Sequence, residues 1–159
     1  MAQQQKSNLH VENLIEIYNQ INQFGLANNL KLSVIKPGEI VYEMEVLKKH
    51  LATPTAMHGG MLAAMMDGVI SVAALSAVAA DKKLVATIEF KINYLKPVFL
   101  GNVLIGKGKV DHKGNRIIHA SGEIYNQNNE LVAKAIGTLN AYPIEKSEVA
   151  QHFKKTPCK

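Results

Sequence analysis

Asp67 is the only ionisable side chain in the run of small and apolar residues from 59 to 80. Burying a carboxylate costs several kcal/mol unless it has a partner, so an acid in such a segment needs a reason. The segment His58-Gly59-Gly60 begins nine positions before Asp67, and it can turn sharply and aim backbone N–H groups at a ligand. A desolvated carboxylate acts as a base, and N–H groups at a helix start stabilise negative charge on a carbonyl oxygen. These residues form a candidate catalytic pair for attack on a carbonyl compound.

Each of these residues also has a purely structural interpretation, and the sequence leaves both open. Asp67 can be a buried acid that is satisfied by a backbone group or caps another element. His58 can be a loop histidine bonded to backbone, and Gly59-Gly60 can serve only the turn. The structural and catalytic interpretations are compatible, because the same turn would expose the N–H groups.

Hydrophobic periodicity predicts the elements that position these residues. Apolar residues at helical spacing indicate an amphipathic N-terminal helix at about 8–28. The segment 59–80 is apolar all round, which predicts a helix buried inside a globular protein. Its Ala, Gly and Ser content and its internal acid disfavour a membrane span of similar length. Strands are predicted at 31–36, 39–46, 84–96, 103–112, 116–126 and 131–142.

The strand faces predict how these elements pack. On 84–96, strict alternation places Leu84, Ile88 and Phe90 on one face and Thr87 on the polar face with Glu89. Small residues in the last two strands would let a helix pack closely against the sheet. They are Ala120, Gly122, Ala133, Ala135 and Gly137. The predicted fold is α+β, with five to six antiparallel strands curled around one central helix. We expect a single domain over 1–142 and a C-terminal tail over 143–159.

Composition narrows the classes of function. The single Cys158 gives no disulfide framework or CxxC pair and suits a reducing, cytoplasmic location, and the N-terminus lacks the apolar stretch of a signal peptide. The six histidines lack paired ligand spacing, so no metal site is expected. The net charge of +5 fits either an anionic small-molecule partner or a generic solvated surface. Scattered lysines without interleaved aromatics argue against nucleic acid.

His58-Gly59-Gly60, Asp67 and the segment from Thr87 to Pro97 followed by Gly101 together resemble the hotdog-fold acyl-CoA thioesterases. Within that fold the chain resembles the phenylacetate-pathway-type branch of the 4-hydroxybenzoyl-CoA thioesterase superfamily, and the similarity covers about 38–142. The resemblance implies that Asp67 is the general base or nucleophile and that the Gly59 N–H polarises the thioester carbonyl. It implies that His58 orients the loop and that Thr87 helps to position the attacking water.

The resemblance also implies a ligand and an assembly. CoA contacts would fall on Gly60, Tyr94 and the turn His112-Lys113-Gly114-Asn115-Arg116, where Lys113 and Arg116 offer cations for phosphate. The alternative for this turn is an ordinary solvated hairpin. No cofactor is implied, because CoA is part of the substrate. The site would be shared across a homodimer or a dimer of dimers, with Asp67 facing the partner's His58 and the partner's Gly59.

The loop before His58 departs from the family pattern. Ala52 and Thr55 stand where the family usually has Asn and Gly, and alanine cannot supply a polar side chain. Thr53 or Thr55 could replace it. The leading hypothesis is an acyl-CoA thioesterase, and the alternative that Ala52 motivates is a non-catalytic acyl-CoA-binding module. A hotdog hydratase or dehydratase is less favoured, because it needs a differently placed His–acid pair.

Overall fold

The structure is a computed structural model that describes residues 15–147. Its helices are α1 (residues 15–21 of the described part), α2 (Gln23–Ala27) and α3 (Gly59–Val78). Its strands are β1 (Lys31–Lys36), β2 (Glu39–Glu45), β3 (Lys83–Tyr94), β4 (Val103–Lys113), β5 (Ile117–Tyr125) and β6 (Leu131–Pro143).

The strands form a single antiparallel sheet in the order β1-β2-β4-β5-β6-β3, and α3 packs against strands β2 to β6. The predicted α+β architecture, a curled antiparallel sheet around one long helix, is confirmed. Each predicted strand agrees with the observed one to within two residues. The domain limits at 142 and 143 stay a prediction, because the described residues end at 147 and β6 runs to Pro143.

The N-terminal helix is interrupted rather than continuous. Helical residues 15–21 end at Asn22, whose side-chain oxygen accepts the Gly25 N–H at 3.0 Å and caps α2. Asparagine favours such a capping position because its short side chain competes with the backbone for hydrogen bonds. The predicted residues 8–14 of this helix lie outside the described part of the chain.

Small residues let α3 approach the sheet closely, as the sequence predicts. A Cβ atom added at Gly122 would lie 2.7 Å from Met66 Sδ, and one added at Gly108 would lie 2.2 Å from the Val69 carbonyl oxygen. The apolar composition of the helix follows from this packing. Although α3 is long and apolar enough to cross a membrane, its central residues are enclosed by the sheet, with Val69 and Ile70 fully buried.

The strict alternation predicted for β3 is wrong. The pairing of β3 with β6 shifts between Thr87 and Glu89, which is a β-bulge. An extra residue at a bulge breaks the alternation, so the side chains before the bulge lie on the opposite face from the one that the residues after it would predict. Ile88 is therefore 56% exposed instead of buried, and Thr87 packs toward α3 instead of lying on the polar face.

A fully buried histidine ties the N-terminal segment to the loop before α3. His50 accepts the Leu47 N–H through Nδ1 at 3.0 Å, so Nε2 carries the proton that it donates to Asn28 Oδ1 at 2.9 Å. Its backbone carbonyl accepts the His58 N–H at 2.8 Å. Burial lowers the pKa of His50, and the neighbouring charge of Lys49 lowers it further.

We expect the free energy of unfolding to fall as the pH drops from 7.5 to 5. The unfolded chain takes up a proton at His50 near the ordinary pKa of about 6.5, whereas the folded chain resists it, so acid favours unfolding. Melting temperatures measured across this range test the expectation. His50→Gln should flatten the slope, and His112→Gln, at an exposed position, should preserve it. Identical slopes in all three proteins would contradict the assignment.

Candidate active site

The N-terminus of α3 has one backbone donor that no described residue uses. His58 is the N-cap, and its Nδ1 accepts the Gly60 N–H at 2.8 Å. The His58 carbonyl accepts the N–H groups of Met61 and Leu62 at 3.0 and 3.3 Å. Among residues 15–147, no acceptor takes the N–H of Gly59. The Gly59 N–H is therefore available to a ligand at the positive end of the helix dipole.

Tyr94 holds the same turn from the sheet side. Its hydroxyl donates to the Gly59 carbonyl at 3.0 Å, while the amide of the same peptide, the Gly60 N–H, donates to His58. The Gly59–Gly60 peptide is thus fixed at both ends. This arrangement gives His58 and Gly60 a capping role, and it places Tyr94, which the resemblance links to CoA, directly beside the helix start.

Asp67 and Thr87 are brought together by the bulge in β3. The Thr87 hydroxyl donates to Asp67 Oδ1 at 2.7 Å. The bulge supplies this contact, which strict alternation did not predict. Asp67 is half-buried in the isolated chain rather than enclosed in hydrocarbon. It lies on a less covered face of α3, where Ala64 and Ser71 are also only partly buried.

The acid and the free amide are separated within one chain. Gly59 and Asp67 are eight residues apart on α3, which corresponds to about 12 Å along the axis at 1.5 Å per residue. A thioester carbonyl is much smaller than this gap. Within one chain, the two groups are therefore too far apart to act on the same carbonyl.

The hairpin predicted to contact CoA lies at the other end of α3. Lys113 Nζ pairs with Asp81 Oδ2 at 2.7 Å and donates to the Ala77 carbonyl at 2.8 Å. Ala77 is about 27 Å from Gly59 along the helix. Within one chain, the structure therefore does not bring Lys113 together with Gly59 and Tyr94.

The backbone of this hairpin is already engaged. The Gly114 N–H donates to the Ile117 carbonyl at 2.9 Å and closes the turn between β4 and β5. Asn115 accepts from Lys83 Nζ through its side chain and its carbonyl at 2.7 and 2.8 Å. The side chains of His112 and Arg116 are exposed. Any phosphate contact here would therefore come from side chains.

Tyr18 is a neighbour of Asp67 that sequence reasoning did not single out. Burial raises the pKa of the Tyr18 hydroxyl, and the negative charge of Asp67 raises it further. Asn22 Nδ2 donates to the same hydroxyl at 3.1 Å. In the sequence, Tyr18 belongs to the apolar spacing that predicts the N-terminal helix, and no local pattern marks it as a site residue.

A long helix wrapped by six antiparallel strands in this order, with its acid and its free N-terminal amide, defines a hotdog-fold protein. Residues 55–133 match the family model of the thioesterase superfamily. Two curated relatives are named as putative esterases. The one from Archaeoglobus fulgidus is 32% identical over 105 residues, which is 66% of each chain. The one from Saccharolobus solfataricus is 30% identical over 123 residues, which is 77% of this chain and 86% of the relative. The chain belongs to the thioesterase superfamily, which confirms the resemblance.

Solved structures agree with this assignment. The E. coli PaaI protein from the phenylacetic acid degradation operon superposes with a TM-score of 0.77 at 24% identity, covering 86% of this chain and 95% of PaaI. That likeness shows the fold. The protein smu.793 from Streptococcus mutans, bound to acetyl CoA, gives a TM-score of 0.66 at 26% identity, covering 72% of this chain and 90% of the other.

Proposed function

We propose that this protein is an acyl-CoA thioesterase that hydrolyses a thioester to a free acid and CoA. The observation that carries the proposal is the Gly59 N–H, the one first-turn donor of α3 that no residue in 15–147 occupies. Membership of the thioesterase superfamily and the esterase names of the curated relatives support a hydrolase. The acetyl CoA bound to the S. mutans protein supports the ligand class.

The proposed chemistry uses two groups on one carbonyl. The Gly59 N–H of one subunit donates to the thioester oxygen and stabilises the negative charge of the tetrahedral intermediate. Asp67 of the other subunit accepts a proton from water, whose oxygen bonds to the carbonyl carbon. The C–S bond then breaks, and the thiolate takes up a proton. Alternatively, the carboxylate attacks the carbon directly, and the C–S bond breaks to release CoA thiolate, which takes up a proton. Water then hydrolyses the resulting anhydride to the free acid and restores the Asp67 carboxylate.

Thr87 acts as a positioning residue in this scheme. Its hydroxyl donates to Asp67 Oδ1, which fixes the carboxylate plane and leaves Oδ2 as the acceptor for the proton of water. A charge-assisted hydrogen bond of 2.7 Å favours one orientation of the carboxylate. Pre-organising a catalytic group in this way reduces the entropy that the reaction must lose.

The separation of about 12 Å between Gly59 and Asp67 leads us to propose a homodimer, alone or as half of a dimer of dimers. β3 is an edge strand of the sheet, and an edge strand of this length exposes unpaired backbone groups that a second copy could cover. Each dimer would contain two sites, each built from the Asp67 of one subunit and the Gly59 of the other.

Mixed dimers test the shared site. Asp67→Asn and Gly59→Pro each inactivate both sites of a homodimer, but a heterodimer of the two variants retains one site with both wild-type groups. Random exchange of subunits makes half of the dimers mixed, so about a quarter of the wild-type turnover should return. Thiol release before and after co-refolding of the two inactive proteins measures it. No recovery, with exchange verified by tagged subunits, would contradict a shared site.

The second candidate function is acyl-CoA binding without catalysis, and the loop before α3 favours it. Ala52 offers only its backbone, whose N–H donates to the Ala56 carbonyl at 2.9 Å. The hydroxyl oxygen of Thr53, a proposed substitute for the missing polar side chain, accepts the Ala56 N–H at 2.9 Å. Free-thiol release from a panel of acyl-CoAs separates the candidates: turnover excludes the binding module, and binding without product excludes the hydrolase.

A further inference from the structure

A cavity of about 310 Å³ lies between the N-terminal helical segment, α3 and the sheet. Its walls are largely apolar. The residues that matter for its shape come from three walls: Tyr18 and Ile21 of α1, Ser71 and Leu75 of α3, and Val85 and Tyr142 of the sheet.

Three relations place this cavity near the candidate acid. Ser71 is one helical turn after Asp67, so the two side chains lie on the same face of α3. Val85 precedes Thr87 by two residues on β3, and Thr87 is hydrogen-bonded to Asp67. Tyr18 lines the cavity and is close enough to Asp67 for the carboxylate charge to raise its pKa. The Ser71 and Val85 walls of the cavity therefore lie next to the Asp67–Thr87 pair.

The residues that line the cavity determine which chemical class of acyl group it can hold. None of the residues that line the cavity is charged, and most present aliphatic or aromatic surface. A carboxylate or ammonium group placed there would lose its hydration without gaining a counter-ion. The volume is roughly twice that of the ~150 Å³ apolar cavity that accommodates benzene. An uncharged acyl group of about six to twelve carbon atoms, aliphatic or aryl, fits this space.

We infer that this cavity is the acyl pocket and that the N-terminal helical segment sets the substrate class, an uncharged apolar acyl-CoA of medium size. The inference rests on the proposed function, because that function places the thioester carbonyl at Asp67. From there the acyl group extends past Ser71 toward Leu75 and Tyr142, and the CoA moiety extends outward.

Two variants fill the pocket from different walls. Ser71→Leu adds volume from α3, where leucine is a good helix former, and Val85→Phe adds a ring from β3, where aromatic residues are favoured. In both, the ratio of kcat/KM for octanoyl-CoA to that for acetyl-CoA should fall at least about tenfold, because pocket discrimination is about 10- to 200-fold per methylene mismatch. Ser33→Leu, at an exposed position of β1, is the matched control and should keep the wild-type ratio.

Charged substrates give an independent check. Succinyl-CoA should be hydrolysed at least about a hundredfold less efficiently than hexanoyl-CoA, because its distal carboxylate would be desolvated in the pocket. Unchanged ratios in both filling variants, or equal hydrolysis of succinyl-CoA and hexanoyl-CoA, would overturn the acyl pocket while leaving the hydrolase proposal standing.

Binding of S-octyl-CoA, a thioether that cannot be hydrolysed, separates the two proposals further. If no acyl-CoA releases thiol but S-octyl-CoA binds, and Ser71→Leu weakens that binding about tenfold, the pocket stands and the hydrolase does not. If neither turnover nor binding is detected by calorimetry, both proposals are wrong.

Discussion

Asp67→Asn is expected to lower kcat about 10²- to 10⁴-fold while leaving the fold intact. Asparagine has nearly the same size, and its amide oxygen can still accept the Thr87 hydroxyl, which donates to Oδ1 at 2.7 Å in the wild type. What the variant loses is the basic oxygen that takes the proton or attacks the carbon. Because Asp67 is only half-buried, replacing its charge should change the melting temperature by no more than a few degrees.

The matched control is Asp111→Asn, the same substitution at an exposed carboxylate on β4 that accepts the Ser121 hydroxyl at 3.0 Å. It should leave kcat within about twofold, since it lies outside the site. Binding of S-octyl-CoA to the Asp67→Asn protein should remain within a few-fold of wild type, which separates lost chemistry from lost binding. Full turnover in Asp67→Asn would remove the carboxylate from the mechanism.

Local periodicity explains why the fold was readable from the sequence. β2 alternates buried and half-buried residues along its length, and α3 is apolar on every face because the sheet wraps it. The bulge in β3 was not readable. It depends on register with β6, where Thr87 pairs with Leu139 and Glu89 with Thr138, and no glycine marks it in β3. The Asp67–Thr87 contact follows from that tertiary register.

The sequence predicts which residues belong to the candidate site, but it does not predict how they are arranged in space. His58-Gly59-Gly60 indicated a helix start with exposed amides, but which amide stays free depends on the ring of His58 occupying the Gly60 N–H. The sequence shows that Lys113 and Arg116 are cations, but it does not show where they lie relative to the helix start. The length of α3 decides this, because it separates Lys113 from Gly59. The apolar cavity lined by Tyr18 could not be predicted from the sequence either, because residues distant in the chain form its walls.

The backbone around Gly59 allows a single substitution to remove one N–H while keeping the helix start. Proline is tolerated at the first helical position, where its missing N–H has no intrahelical partner. The preceding His58 has φ −68° and ψ 129°, the extended conformation that a following proline requires. A Cβ atom at Gly59 would meet Tyr94 Cζ at 3.6 Å, an ordinary contact. Gly59→Pro should therefore fold.

Gly59→Pro is expected to lower kcat about 10²- to 10³-fold, the usual effect of deleting one oxyanion donor. Its melting temperature should equal or exceed that of the wild type, because proline restricts the unfolded chain. Gly59→Ala is the matched control: it adds the Cβ atom but keeps the N–H, so it should retain kcat within a few-fold. Because the amide acts on the transition state, S-octyl-CoA should bind Gly59→Pro nearly as well as wild type. Equal kcat in the proline and alanine variants would show that this amide does not hold the oxyanion.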